Sequence, residues 1–194
     1  MSFYSGIPSE LLYAQGAPVT KNTYTTQAVF SANPTSGGAV AIVPANFFSG
    51  NPNGVGRTLL LEASGTIATT SAATFNFVVG WDPTINTLGT TLCTPWPTLA
   101  PTAATTCVWW LHLLIQGQAV GPTGLSLQTN GLLRMSTVAS GTLATANQEI
   151  LIGGALSTGL ISSAQAAIEF WGTWSASAAG NTTTVQQYIL GGLN

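Results

Sequence analysis

Few side chains in this sequence could do acid–base or nucleophilic chemistry. His112 is the single histidine. Serine, threonine and cysteine nucleophiles need a base beside them, but His112 lies inside the apolar run 108–115. We therefore predict a buried, hydrogen-bonded structural histidine, not a catalytic base. Four of the 5 acidic residues fall in or beside predicted strands: Glu62, Asp82, Glu149 and Glu169.

These acids form no recognisable catalytic pair. Glycoside hydrolysis needs two carboxyl groups across a cleft, whereas Glu62 and Glu169 have polar neighbours within strands, so we expect both to face solvent. Asp82 precedes Pro83, as turn-opening residues do. No group of His, Cys, Asp or Glu has the spacing of a metal site. We predict that the protein is not an enzyme and uses no metal or cofactor.

Two cysteines flank part of a proline-rich excursion that runs from residue 82 to residue 107. A disulfide between Cys93 and Cys107 would close a loop of about 15 residues and add about 3 kcal/mol by restricting the unfolded chain. The alternative is a pair of buried thiols, because a protein made in the cytoplasm is not oxidised before its release. The sequence leaves both alternatives open.

Trp96 stands between Pro95 and Pro97 in the same excursion. The two prolines restrict the backbone around the indole ring, which suits a contact residue for a sugar or a protein partner. The competing interpretation is that Trp96 packs against the body of the protein and so holds the loop in place on it.

Charge is scarce throughout the chain. Its 194 residues include 3 basic and 5 acidic side chains, so 4% are charged, against roughly a quarter in an ordinary domain. Nucleic acid is excluded as a partner because phosphate binding needs a basic patch. We also expect no membrane helix, which needs about 20 consecutive apolar residues, and no secretory signal. Because charge normally keeps proteins apart, we expect apolar faces to be shared with other copies or a larger assembly.

Strand signals dominate from residue 19 onward, without a convincing helical period. The run 108–115 is apolar on both faces, as in a central strand of a sandwich or a subunit interface. About eight strands separated by turns predict an all-β fold, a single jelly-roll-like antiparallel β-sandwich. The predicted strands cover residues 19–30, 39–43, 57–69, 74–81, 107–120, 124–138, 148–156, 165–175 and 182–190. A glycine at position 65 predicts a bulge or bend there.

Residues 1–18 are predicted to be an extended N-terminal arm, and residues 19–194 the sandwich domain. The arm combines turn residues with apolar ones, so we expect it to pack on its own body or on a neighbouring subunit. Together with Trp96, the candidate partner contacts are Phe3, Tyr4, Leu11, Leu12 and Tyr13.

Two segments resemble the small structural proteins of tailed-bacteriophage virions, especially those of phages with actinobacterial hosts. The first is GRTLLLEASGT at residues 56–66, followed by an aromatic strand, and the second is GNTTTVQQYIL at residues 180–190. The resemblance extends over residues 40–194 and rests on the general composition and pattern of the sequence, not on a diagnostic motif. It implies a neutral jelly roll that forms homotrimers on capsids, tails or fibres and has no catalytic residues.

The main functional prediction is a capsid decoration protein of a tailed phage. It would be made in the host bacterial cytoplasm, lie on the capsid surface of the virion, and contact the major capsid protein or other virion proteins. The alternative is a tail or fibre module that recognises host surface glycans through Trp96 and nearby loops. A shell-forming capsid protein ranks lower, because residues 1–18 contain no Lys or Arg to neutralise RNA. A hydrolase on a sandwich scaffold ranks last.

Overall fold

The computed structural model describes residues 9–22, 28–29, 41–50, 57–85, 87–93, 99–101, 105–119, 124–136 and 147–193. These residues form twelve strands and one short 3-10 turn at Phe47–Gly50, and no α-helix occurs among them. The strands are β1 Ser9–Ala14, β2 Val19–Asn22, β3 Ala28–Val29, β4 Ile42–Val43, β5 Thr58–Thr69, β6 Phe75–Asp82, β7 Thr90–Cys93, β8 Thr105–Ala119, β9 Leu125–Ser136, β10 Asn147–Leu160, β11 Ala166–Trp174 and β12 Thr182–Leu193.

Two antiparallel sheets make up the fold. The larger sheet has the strand order β1-β12-β5-β8-β9-β10, and β2 also pairs with β12. The smaller sheet has the order β3-β11-β6-β7, and β4 also pairs with β11. The chain crosses from one sheet to the other between β5 and β6 and again between β11 and β12. Of these four strands, β5 and β12 are neighbours in the larger sheet, and β6 and β11 are neighbours in the smaller one. The predicted all-β antiparallel sandwich is confirmed, with β5 to β12 as its body.

Aromatic side chains join the two sheets at the centre of the core. Trp109 of β8 lies flat on Phe170 of β11, with ring centroids 5.3 Å apart and an interplanar angle of 5°. Within the smaller sheet, Phe77 of β6 stacks on the same phenylalanine at 5.0 Å and supports it. Tyr188 of β12 donates a hydrogen bond of 2.8 Å to the carbonyl oxygen of Ile168 in β11. Each aromatic contact contributes about 0.5–1.5 kcal/mol beyond its buried area, so these contacts fix how the sheets lie on each other.

The irregularity predicted at Gly65 lies mainly in the strand opposite. Val185 of β12 pairs with Gly65, but Gln187 pairs with the residue just before Gly65, which makes Gln186 the bulge residue. A Cβ atom at Gly65 would collide with the backbone carbonyl of Thr184. Glycine is required in β5 because another backbone approaches it closely there.

For two segments the predicted strand boundaries were wrong. The predicted strand 19–30 is two strands, β2 in the larger sheet and β3 in the smaller one. In addition, β7 lies inside the stretch that was predicted to be irregular, where it pairs with β6. All three strands are short, and the partners of β2 and β3 are distant in sequence, so the local composition carried little information about them.

Candidate binding face

One side of the larger sheet is open to solvent. In β5 and β8 alternate side chains point into the core, for example Leu61 and Leu113, while those between them are partly or fully exposed. We call the exposed side of this sheet the outer face. The prediction that β8 is a central strand is confirmed, because it lies between β5 and β9. The side of β8 away from the core is uncovered in the single chain, so of the two alternatives only a subunit interface would bury both of its faces.

Leucine side chains lie close together on the outer face. Leu11 and Leu60 both pair with Gly191, and Leu60 also pairs with Leu114. In the adjacent row Leu132 pairs with Leu151, which is 81% exposed. We call these residues the apolar patch: Leu11, Leu60, Leu114, Leu132 and Leu151. Exposed apolar surface of this kind marks interaction sites more often than scattered single leucines do.

His112 lies on the same face, between residues of the apolar patch. Its Nδ1 atom is 3.2 Å from Oε1 of Glu62, and its side chain is 33% exposed. The predicted hydrogen bond is therefore confirmed, but the predicted burial is wrong because this side of β8 is uncovered. The solvent-facing position expected for Glu62 is confirmed. The imidazole also stacks on the Trp110 ring, with centroids 5.5 Å apart.

Beyond His112 the outer face contains a shallow depression of about 330 Å³. Trp110, Arg134 and Glu149 are paired neighbours across β8, β9 and β10. The Nε–H group of Arg134 donates to Oε2 of Glu149 at 3.0 Å, and both side chains are exposed. The full lining is Val108, Trp109, Trp110, Arg134, Met135, Ser136 and Glu149.

Sequence reasoning missed Trp110 and Arg134 as site residues. Trp110 was hidden in an apolar run that pointed to a buried strand. The signal that could have found it is period two: Trp110 lies on the same side of the strand as His112, which carries a polar ring.

The smaller sheet holds a pair of acids with no solvent-exposed surface, Asp82 and Glu169. Asp82 accepts hydrogen bonds from the Gly89 backbone N–H at 2.6 Å and from Trp171 Nε1–H at 2.8 Å. It also shares a hydrogen bond with Glu169, which requires a proton between the two carboxyl groups. Burial raises the pKa of Asp82, although these hydrogen bonds oppose the rise.

The expectation that Glu169 faces solvent is therefore wrong. Gly80, which pairs with it, has no side chain, and the chain after Asp82 brings the Gly89 N–H group onto this side of the sheet. Because neither carboxyl group has exposed surface, no substrate reaches the pair, and it acts as a structural element.

Both cysteines are buried, and no disulfide joins them in the structure. Burial raises the pKa of the Cys93 thiol to about 12, so its thiolate, the nucleophilic form, is not populated at neutral pH. The structure thus contains two buried thiols, which is the alternative to a disulfide. Formation of a disulfide in the released protein stays a prediction. A mass measurement without reductant decides it, since a disulfide lowers the mass by two hydrogens.

The candidate contacts in the arm divide into two groups. Leu12 and Tyr13 pack against the core, and the Tyr13 ring meets Tyr188 edge-on at a centroid distance of 5.9 Å. The same burial raises the pKa of Tyr13. Leu11, 68% exposed, belongs to the apolar patch. The described part of the arm thus packs on its own chain, whereas Phe3, Tyr4 and Trp96 lie outside the described residues.

Within the described ranges, no three His, Cys, Asp or Glu side chains are grouped so that they could hold a metal ion. The same part of the chain contains no helix with the length and apolar character that crossing a membrane requires.

Comparison with known proteins gives a distant likeness among solved structures. No protein-family model and no curated protein matches the chain. Among solved structures it is similar to the CBM2 module of the evolved Dit of Lactobacillus casei BL23 phage J-1. The sequence identity is 12%, the coverage 94% of this chain and 95% of that one, and the TM-score 0.29. A likeness at this level carries no argument about function.

Proposed function

We propose that this protein is a structural protein of a tailed-bacteriophage virion, specifically a capsid decoration protein that assembles as a homotrimer. The observation that carries the proposal is the apolar patch on the outer face. The resemblance of residues 56–66 and 180–190 to virion proteins supports the same assignment.

The apolar patch favours assembly on energetic grounds. Burying one leucine side chain contributes roughly 1.5–3 kcal/mol, so several together offset a substantial part of the roughly 4–15 kcal/mol that association costs. Leu151 leaves most of its side chain in water in the isolated chain. In the homotrimer other copies of the chain would cover it, and the scarcity of charge on the chain removes the repulsion that normally opposes such contacts.

The second candidate is a tail or fibre module that binds host surface glycans. Trp96, which first suggested this function, lies outside the described residues. The observation that favours it now is an aromatic ring, Trp110, beside an exposed arginine–glutamate pair in an open depression.

Purified virions test the assignment. Mass spectrometry should detect the protein in particles, and gold-labelled antibodies viewed by electron microscopy should mark the surface of the head. Labelling confined to the tail tip or fibres would favour the second candidate and contradict capsid decoration. Absence of the protein from washed particles would contradict both.

A further inference from the structure

We propose that the depression beside Trp110 binds one pyranose ring of a neutral glycan, with the sugar stacked on the indole and hydrogen-bonded by Arg134 and Glu149. This inference deepens the second candidate function and rests on it. It concerns the end of the outer face at Trp110, not the apolar patch.

The aromatic platform is held in place before any ligand arrives. The Trp110 ring stacks on His112 with an interplanar angle of 29°, and the imidazole is in turn held by Glu62 at 3.2 Å. A preordered ring loses little conformational entropy on binding. A pyranose with equatorial hydroxyl groups presents an apolar C–H face, which complements the face of a partly exposed indole such as that of Trp110.

The polar partners lie directly beside the platform. Arg134 and Trp110 are paired residues on neighbouring strands, and Arg134 pairs in turn with Glu149. The 3.0 Å bond between them joins Nε to one carboxylate oxygen, and a guanidinium group carries further N–H donors besides Nε. The pair therefore offers adjacent donors and acceptors, which is the pattern that two vicinal hydroxyl groups require.

Charge favours a neutral sugar over an anionic one. Arg134 is matched by Glu149, and the next ionic group along the face is Glu62, paired with His112. No positive charge is left over on these four residues at neutral pH, so a uronate or phosphate would gain no net attraction. The volume of about 330 Å³ lies at the lower end of the roughly 300–1,000 Å³ range of small-molecule pockets, which suits one or two sugar rings.

The site and the apolar patch do not compete for the same residues. Neighbouring side chains on one face of a strand are two residues apart, which is a distance of about 7 Å. The row of paired residues that contains Trp110 therefore lies about 7 Å from the row that contains Leu151. An assembly that covers Leu114 and Leu151 would leave Trp110 at the rim of the contact, where a glycan chain can still reach it.

Isothermal titration calorimetry tests the inference with two defined probes, cellotetraose and tetra-N-acetylchitotetraose, each taken to about 10 mM because weak sugar binding lies near the millimolar range. We expect saturable binding of at least one probe. Trp110→Ala should lower its association constant by at least about tenfold, and Trp110→Phe, which keeps a ring, should retain most of it. Ile161→Ala, which removes an exposed apolar side chain elsewhere on the chain, should leave the constant unchanged.

Arg134→Gln provides a test that does not depend on the folding of the tryptophan variant. It changes only an exposed side chain, and it should weaken binding while thermal unfolding stays the same. Binding of neither probe, or equal binding by wild type and by both the Trp110→Ala and Arg134→Gln variants, would overturn the inference.

Failure of this inference can be distinguished from failure of the functional assignment. If the glycan probes do not bind but antibodies still label the virion, only the sugar site is wrong. If the probes bind in a Trp110-dependent way but the protein is absent from virions, the site stands and the virion assignment is wrong.

Discussion

The two sheets of this protein distribute apolar and charged side chains in opposite ways. On the outer face of the larger sheet Leu151 is 81% exposed, whereas in the smaller sheet Asp82 has no exposed surface. A buried polar group and an exposed apolar patch are the two departures from ordinary burial that carry information. The difference indicates that the smaller sheet is complete in the isolated chain, because its acids have their partners, while the larger sheet presents a surface for something else to cover.

The largest expected effect lies in the smaller sheet. Asp82→Ala removes the acceptor for the Gly89 N–H and Trp171 Nε1–H groups, and leaving buried donors without partners should cost about 2–5 kcal/mol of unfolding free energy. Glu149→Ala deletes an acid of the larger sheet, where an exposed ion pair contributes about 0–1 kcal/mol. Urea denaturation of both variants measures the contrast, and equal losses would contradict it.

Two glycines sharpen the same comparison at a smaller scale. A Cβ at Gly80 would lie 2.6 Å from Oδ1 of Asp82 and 2.7 Å from Cδ1 of Leu88, so Gly80→Ala should cost about 1–3 kcal/mol. At Gly153, on β10, the nearest atom would be 4.0 Å away, and alanine there should be neutral or stabilise by about 0.5–1 kcal/mol. Thermal unfolding curves test the pair, and a Gly80→Ala protein as stable as wild type would show that the acid pair is loosely packed.

The buried acids also predict a dependence on pH. Because the pKa of Asp82 is raised in the folded state, its contribution is fully present below the unfolded value of about 3.9 and is lost as the pH rises through the folded pKa. Glu169→Gln supplies a hydrogen-bond donor that needs no shared proton, so stability should fall less steeply with pH than in wild type. The slope for one proton is at most about 1.4 kcal/mol per pH unit. Parallel curves for the two proteins would rule out a shared proton.

The smallest effect on stability is expected in the apolar patch. Leu151→Ser changes an exposed residue, so the unfolding free energy of the monomer should stay within about 0.5 kcal/mol of wild type. Ile85→Ser, in the exposed turn after the smaller sheet's β6, serves as the matched control. Urea denaturation at a concentration low enough for both proteins to be monomeric measures the difference, and a large loss there for Leu151→Ser alone would mean that the patch belongs to the core of the single chain.

Alternation in the sequence predicted which residues share a face, but not whether that face is covered. In the predicted strand 74–81 alternation places Phe75, Phe77 and Trp81 on one side, and all three are in the core. The opposite side of the same sheet was expected to face solvent, yet Glu169 is buried there. Period two is a local property of a strand, whereas Glu169 is covered by the chain after Asp82, a segment that is distant from it in sequence.

The candidate site was less predictable than the fold. His112 and Trp110 were interpreted as core residues because apolar neighbours surround them in sequence, and a two-sided apolar run is typical of a buried strand. In the structure one side of that run is open, so the same residues line a surface. Arg134 gave no signal by itself, since it becomes a partner of Trp110 only through the pairing of β8 with β9.

The central claim, that the apolar patch is covered by other copies of the chain, is tested most directly by sedimentation velocity. At micromolar concentration the wild-type protein should sediment as a trimer, and the Leu114→Ser/Leu151→Ser variant as a monomer that still unfolds cooperatively, at a temperature lowered only by the lost association. A wild-type protein that sediments as a monomer at every accessible concentration, with the double variant indistinguishable from it, would contradict the account.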